Sequence, residues 1–460
     1  MKQIVLWCLV LIHTKSMCQV GYSRDELISR LMNDFLLKTK VPGISVAVSK
    51  KGEIHYAEGF GYADLENNVE MQATTRIRAA SVSKMITITA IARLVTEGKL
   101  DLDAPIKKYI PYLKEPFTTL TTRQITNHTS GIPHRPTHNK SKKKNYNSTR
   151  ELVELVEETT LRFTPGSKYE YSSLAYNLLA GVIEGASGKN YLDYIQEDIF
   201  KPLGMERTAP DEPSEVTKNE ARMYLFKKGK LILDKKYFNG SYKLPGAGFK
   251  STSVDLVKMM EGYMNGFISS SVAANLFSNT ELPSGDKTNV GVGWRIGRDI
   301  VGRETVGHAG SWQGARTVIV HYPKEQLTVS LMINAQCNIF IEETAHTLAQ
   351  LFLQEELSNK NLKALERKII VEYTDENDQP STAYGNVLMS KEGFGKLIVN
   401  EDIKLLKQNN LFYLGTDNLY ALSSEFGLLF LTIDYDPSFE GKLYLYQARD
   451  LKREPMFTLK

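Results

Sequence analysis

A serine and a lysine spaced Ser-x-x-Lys stand one helical turn apart on the same face, where a hydroxyl and an amine can act on each other. Neither reacts alone at neutral pH. The serine needs a base, and a lysine becomes one only where burial or a neighbouring cation lowers its pKa. The 460-residue chain carries this spacing three times, at Ser81/Lys84, Ser141/Lys144 and Ser284/Lys287. The second pair lies in a Lys-rich stretch and the third within Pro-Ser-Gly-Asp, so both read as solvated. Ser81 alone opens a strongly apolar helical pattern, where its N–H can help bind an oxyanion and Lys84 is held against a core. On spacing alone the pair also reads as an N-cap serine with a surface lysine one turn on.

Composition limits the other chemistries. Apolar residues make up 42% and charged residues 24%, which excludes a disordered chain, a collagen-like repeat and a polytopic membrane protein. A formal charge of +4 is too near neutrality for a nucleic-acid footprint. Three cysteines, Cys8, Cys18 and Cys337, form no disulfide framework and show no zinc-ligand spacing. His134 and His138 are four apart, but Pro136 between them argues against a helical metal pair.

Lys2 followed by the apolar run 4–12 predicts a secretory signal peptide, too short to span a bilayer, with cleavage before Gln19. A lipoprotein acylated at Cys18 is the alternative. The expectation is therefore a periplasmic or secreted protein without a transmembrane anchor in its mature form.

Several elements must position these residues. Apolar spacing predicts a helix over 24–39, strands over 44–49 and 53–62 with Lys51-Gly52 at their turn, and a helix over 81–97 ending at Gly98. The Pro-, Asn- and Lys-rich stretch 131–150 reads as an exposed loop and 175–185 as a helix. Strands over 305–307, 316–321 and 327–334, then a helix over 339–356, complete one antiparallel sheet covered by helices. Beyond 358 the pattern changes to short alternating strands at 369–373, 396–399, 411–414, 428–433 and 442–447. They predict a small all-β domain over 361–460, a barrel or sandwich.

The stretch Ala80-Ser81-Val82-Ser83-Lys84 resembles the first motif of the serine β-lactamase-like superfamily, which includes class C β-lactamases, D,D-peptidases, D-aminopeptidases and esterases. Most of residues 24–355 share the resemblance, through Val41-Pro42-Gly43-Ile44, Asn127-His128-Thr129-Ser130-Gly131-Ile132, Thr164-Pro165-Gly166, Pro202-Leu203-Gly204-Met205, Gly246-Ala247-Gly248 and Gly291-Val292-Gly293-Trp294. The resemblance implies an α+β fold of β-lactamase/transpeptidase type: an antiparallel sheet flanked by helices, a mainly helical subdomain and, here, the C-terminal all-β domain. Its boundaries would be 1–18 for the signal peptide and 19–357 for the hydrolase unit.

The family's second motif, Tyr-x-Asn, corresponds to Tyr171-Ser172-Ser173. The resemblance makes Tyr171 the general base; on its own it also reads as a core tyrosine clustered with Tyr169 and Tyr176. Ser173 replaces the usual Asn, and a hydroxyl is shorter and offers one donor, which weakens amide recognition and β-lactam hydrolysis. The third motif, Lys-Thr-Gly in many relatives, is His308-Ala309-Gly310. Gly310 would let substrate approach the strand, and the Ser311 N–H would be the second oxyanion donor beside that of Ser81. His308 would orient a substrate group or, when protonated, attract a carboxylate, and Arg316 is a candidate for the same task. His128 reads as structural. Trp294 and Trp312 are candidates to wall the pocket, with core packing the other reading for Trp294.

The implied function is acyl-enzyme hydrolysis of a peptide, amide or ester, with no cofactor or metal and with peptidoglycan fragments among the candidate substrates. A non-catalytic cell-envelope or peptidoglycan-binding protein is the alternative. Loss of Ser, Lys or Tyr would mark it, and all three are present.

Overall fold

The computed structural model describes residues 23–138, 144–211, 219–235, 239–354, 365–374, 380–389, 394–399, 409–414, 419–433, 443–446 and 457–459. The expected signal peptide with Cys8 and Cys18, Ser141, Lys140, Lys142, Lys143 and the boundary 357–361 lie outside them.

The first described element is helix α1 (Arg24–Thr39), started by a reciprocal cap: Glu26 N donates to Ser23 Oγ at 3.2 Å and Ser23 N to Glu26 Oε2 at 2.8 Å. Leu27, Ile28, Leu31, Met32 and Phe35 recur at helical spacing and bury one face of it. That face lies on a seven-stranded antiparallel sheet built from β1 (Gly43–Lys50), β2 (Glu53–Asp64), β3 (Val69–Glu70), β4 (Arg295–Arg298), β5 (Glu304–Trp312), β6 (Ala315–Tyr322) and β7 (Leu327–Ile333). Their spatial order is β3-β2-β1-β7-β6-β5-β4.

The first and last long strands meet at the centre, with Ile44 opposite Ile333 and Lys50 opposite Leu327. The two-residue period then sorts the faces. Ile44, Val46, Val48, Val329 and Leu331 pack with α1 and with the helix Ile341–Leu353 near the end of the unit. Ile319 and Met332 pack with the helical subdomain on the other face. Both faces are covered, so β7 is buried at every position.

Helix α2 (Ser83–Thr96) is the axis of that subdomain. Its residues 83–92 are all buried, which fits a helix apolar around most of its circumference. Helix α3 (Tyr176–Ser187) packs beside it.

Past the unit, eight strands from Leu365–Thr374 to Phe457–Leu459 form a closed barrel, its ends joined by Val371 opposite Leu459. Strands Pro380–Met389, Leu419–Ser424 and Phe457–Leu459 were not expected. The first two carry Ala, Gly, Asn and Ser among their apolar residues, and ladder pairing inside a closed barrel holds them rather than a pattern of their own. The barrel docks on the α1 layer. Phe340 N donates to Phe426 O at 2.8 Å, Gln354 Nε2 to Leu414 O at 2.6 Å, and Phe412, Leu414, Ala421 and Leu428 join that core. The fold is the α+β class expected.

Candidate active site

Ser81 sits in a single 3-10 turn, Ala80–Val82, that leads into α2. Val82 holds the N-cap position of the helix and no side chain caps it, so the Ser81 hydroxyl is not spent on capping. Ala80 adopts φ +49°, a left-handed conformation that costs a residue with a Cβ about 1–2 kcal/mol. Strand β5 holds this turn from one side. A Cβ on Gly310 would stand 2.7 Å from Ala79 O and 2.9 Å from Ser81 N, so only glycine lets the strand approach so closely.

Lys84, one turn on, is wholly buried. Its Nζ donates to Ser173 Oγ and to Gly246 O, both at 2.8 Å, and lies 4.9 Å from the centre of the Tyr171 ring. Among the described residues no carboxylate pairs with it. A buried ammonium without a counter-charge is costly, and burial accordingly pushes Lys84 below its ordinary pKa, partly opposed by Tyr171. For the Tyr171 phenol burial acts upward. The charge of Lys84 and hydrogen bonding from Lys84 and Ser81 outweigh it and hold the phenol below its usual range. The cheapest way to balance this charge is a proton shared between amine and phenol beside the serine.

Two imidazoles fix the backbone that carries Tyr171. Ser172 N donates to His128 Nδ1 at 3.3 Å and Ser173 N to His134 Nδ1 at 3.2 Å, which places any ring proton on Nε2. Their ring centres lie 4.4 Å and 5.5 Å from that of Tyr171. Burial, with the nearby charge of Lys84, keeps both neutral: His128 well below the usual range and His134 down to about 4.

The three distant segments do converge. Ser81, Tyr171, Ser173, Gly310 and Ser311 line one cavity of about 1000 Å3. His308, its ring centre 6.1 Å from that of Tyr171, lines a neighbouring cavity of about 310 Å3 with Tyr169, Glu342 and His346. It is 2% exposed, and burial, reinforced by Arg295 and Lys84, depresses its pKa well below 6.5. This corrects the expectation that a protonated His308 attracts a carboxylate, because an imidazolium there would lose its hydration for nothing. Its Nδ1 is 2.8 Å from Ala309 O, and its buried Nε2 has no hydrogen-bond partner among the described residues. Ser173 holds the lysine, and the carbonyl of Gly246 supplies a second acceptor.

Sequence reading missed Gly246 O, a backbone atom, and the place of His134 at the site. The His-Arg-Pro order around 134 carries no catalytic signature, and only the fold brings it to Ser173. Arg316 lines the cavity, with Nη2 donating to Ile339 O at 2.6 Å. Trp312 lines it too, whereas Trp294 is core, packed edge-on against Tyr263 and Phe277. Lys144 pairs with Glu151 at 2.8 Å and Ser284 with Asp286 at 2.8 Å, so neither belongs to this site.

The sequence profile of the Beta-lactamase family matches residues 25–354. The chain belongs to that family. Among curated relatives of this beta-lactamase-family chain is the "Serine beta-lactamase-like protein LACTB, mitochondrial" of Bos taurus, 32% identical over 332 residues. The match covers 55% of this chain and 59% of the bovine one, so about three fifths of that relative's length is spanned. Among solved structures, the octameric penicillin-binding protein homologue from Pyrococcus abyssi superposes with a TM-score of 0.59 at 22% identity, over 95% of this chain and 100% of its own. The D-amino acid amidase from Ochrobactrum anthropi SV3 gives a TM-score of 0.59 at 24% identity, over 68% of this beta-lactamase-family chain and 92% of the amidase. These solved structures share its fold.

Proposed function

We propose that the chain is an exported serine hydrolase that cleaves a peptide, amide or ester through an acyl-enzyme. The observation that carries this reading is the wholly buried Lys84, without a carboxylate partner among the described residues, holding the Tyr171 phenol low beside the Ser81 hydroxyl. Ser81 Oγ attacks the carbonyl carbon while Tyr171 takes the hydroxyl proton. Negative charge then develops on the carbonyl oxygen, toward the N–H groups of Ser81 and Ser311. Collapse of this tetrahedral state breaks the bond to the leaving group, which receives the proton from Tyr171. Water, deprotonated by the same phenolate, repeats the sequence in reverse and frees Ser81.

The serine beta-lactamase-like relative and the fold shared with an amidase support acyl transfer as the class of reaction. Ser173 in place of an amide side chain argues for esters over β-lactams. Export rests on Lys2 and the apolar run 4–12, with a mature N-terminus at Gln19 or, for a lipoprotein, at Cys18.

A fluorophosphonate probe tests the reading. Label on Ser81, with hydrolysis of p-nitrophenyl acetate lost in Ser81→Ala, is expected. An unlabelled protein whose Ser81→Ala variant hydrolyses the ester equally well would remove it, and binding of muropeptides without turnover would favour the non-catalytic alternative. The mass of the mature chain tests export.

A further inference from the structure

The cavity above Ser81 holds far more charge than one acyl transfer requires. Arg135, Lys227, Lys235, Lys243, Arg295 and Arg316 line it, against one carboxylate among the described lining residues, that of Asp234. The whole chain carries a formal charge of only +4, so this one wall has a larger positive excess than the entire molecule. Asp234 is engaged by Gln313, whose Nε2 donates to its Oδ2 at 2.6 Å, and Arg295 pairs with Glu342 at 3.0 Å. Arg135, Lys227 and Lys235 make no ion pair among the described residues. Lys227, which ends the strand Tyr224–Lys227, and Lys235, two residues beyond its hairpin partner Lys230–Leu233, are exposed and line the cavity.

Arg295 and Lys243 stand at the two ends of the β5 stretch from Gly307 to Trp312. Pairing of β5 with β4 ends at Gly307 opposite Arg295, and from there β5 continues past Gly310, which abuts Ser81, to Trp312. An extended acyl donor laid along β5 beyond Gly307 meets Arg295 at one end. At the other it meets Trp312, over whose ring the Lys243 ammonium sits, and Lys227 and Lys235 line the same cavity. Cations therefore flank the position of the scissile carbonyl on both sides. A cavity of about 1000 Å3 accommodates several residues of such a donor. Low-dielectric walls lined by one sign of charge concentrate the opposite sign.

We propose that the site selects acyl donors bearing two or more carboxylates, an acidic peptide-like segment lying along β5. This rests on the hydrolase reading, since Ser81 turnover supplies the readout.

Competition against p-nitrophenyl acetate hydrolysis tests it with isosteric peptides, N-acetyl-triglutamate amide and N-acetyl-triglutamine amide, in both the L and the D series. In one series at least, the glutamate peptide is expected to inhibit at a Ki at least about tenfold lower at low salt. That ratio should shrink toward one in about 0.5 M sodium chloride, where charges are screened within roughly 4 Å. In Lys227→Glu/Lys235→Glu the ratio should fall to one or invert. The wild-type salt titration carries the same test without any substitution. Equal Ki values for both peptides in both series, with ester hydrolysis still dependent on Ser81, overturn the proposal and leave the hydrolase reading standing. Absence of Ser81-dependent hydrolysis overturns that reading, and the proposal with it.

Discussion

Lys84, buried beneath the cavity that Ser81 lines, and the exposed pair Lys227 and Lys235, which line it, have opposite surroundings. Lys84 lies under the floor, stripped of water and held by one hydroxyl, one carbonyl and the face of a tyrosine. Lys227 and Lys235 stand in solvent. The same side chain becomes a proton handler where it is desolvated and a steering charge where it is not. Burial, not residue type, divides the labour.

The largest break in this contrast is expected at the floor. Ser81→Ala should lower kcat/KM for p-nitrophenyl acetate by about 1000-fold or more, measured against the wild type in one preparation. Lys84→Met keeps the length of the side chain and removes the charge. It should cost on the order of 100- to 10,000-fold and move the rising limb of the pH–rate profile upward, because Tyr171 loses the cation that stabilises its phenolate. A limb that stays in place in Lys84→Met would detach the lysine from the phenol.

Gly310→Ala should cost about 10- to 100-fold in kcat/KM and lower the thermal midpoint, since the added methyl would stand 2.7 Å from Ala79 O and 2.9 Å from Ser81 N and backbone must move to admit it. The smallest effect is a missing one. Activity should climb with pH as Tyr171 gives up its proton, along a limb centred below the phenol's ordinary 10. No break should occur near 6.5, because His128, His134 and His308 are already neutral there. A histidine-like inflection in kcat/KM would assign proton transfer to an imidazole instead.

How much of this was legible differs along the chain. Ser81, Lys84 and Tyr171 lie in local patterns, a helix start and a turn before a helix, that short-range spacing and motif order expose. The sheet strands 44–49 and 327–334 were readable because alternation survives in them. His308 was misjudged because its charge state depends on how deeply β5 is buried, which no neighbour in sequence reports. His134, Gly246, Lys227 and Lys235 were invisible as site residues for a related reason: each reaches the cavity only through long-range packing. The barrel strands Pro380–Met389 and Leu419–Ser424 were overlooked since closure, rather than composition, defines them.

The pairing of Ile44 with Ile333 has a consequence for biogenesis. A ribosome must deliver nearly 300 further residues after the first strand before its partner exists, so the nascent segment waits with an open, apolar edge. Polypeptides ending short of position 333 should therefore aggregate or be degraded rather than accumulate as smaller folded pieces, which makes synthesis of the unit all-or-nothing.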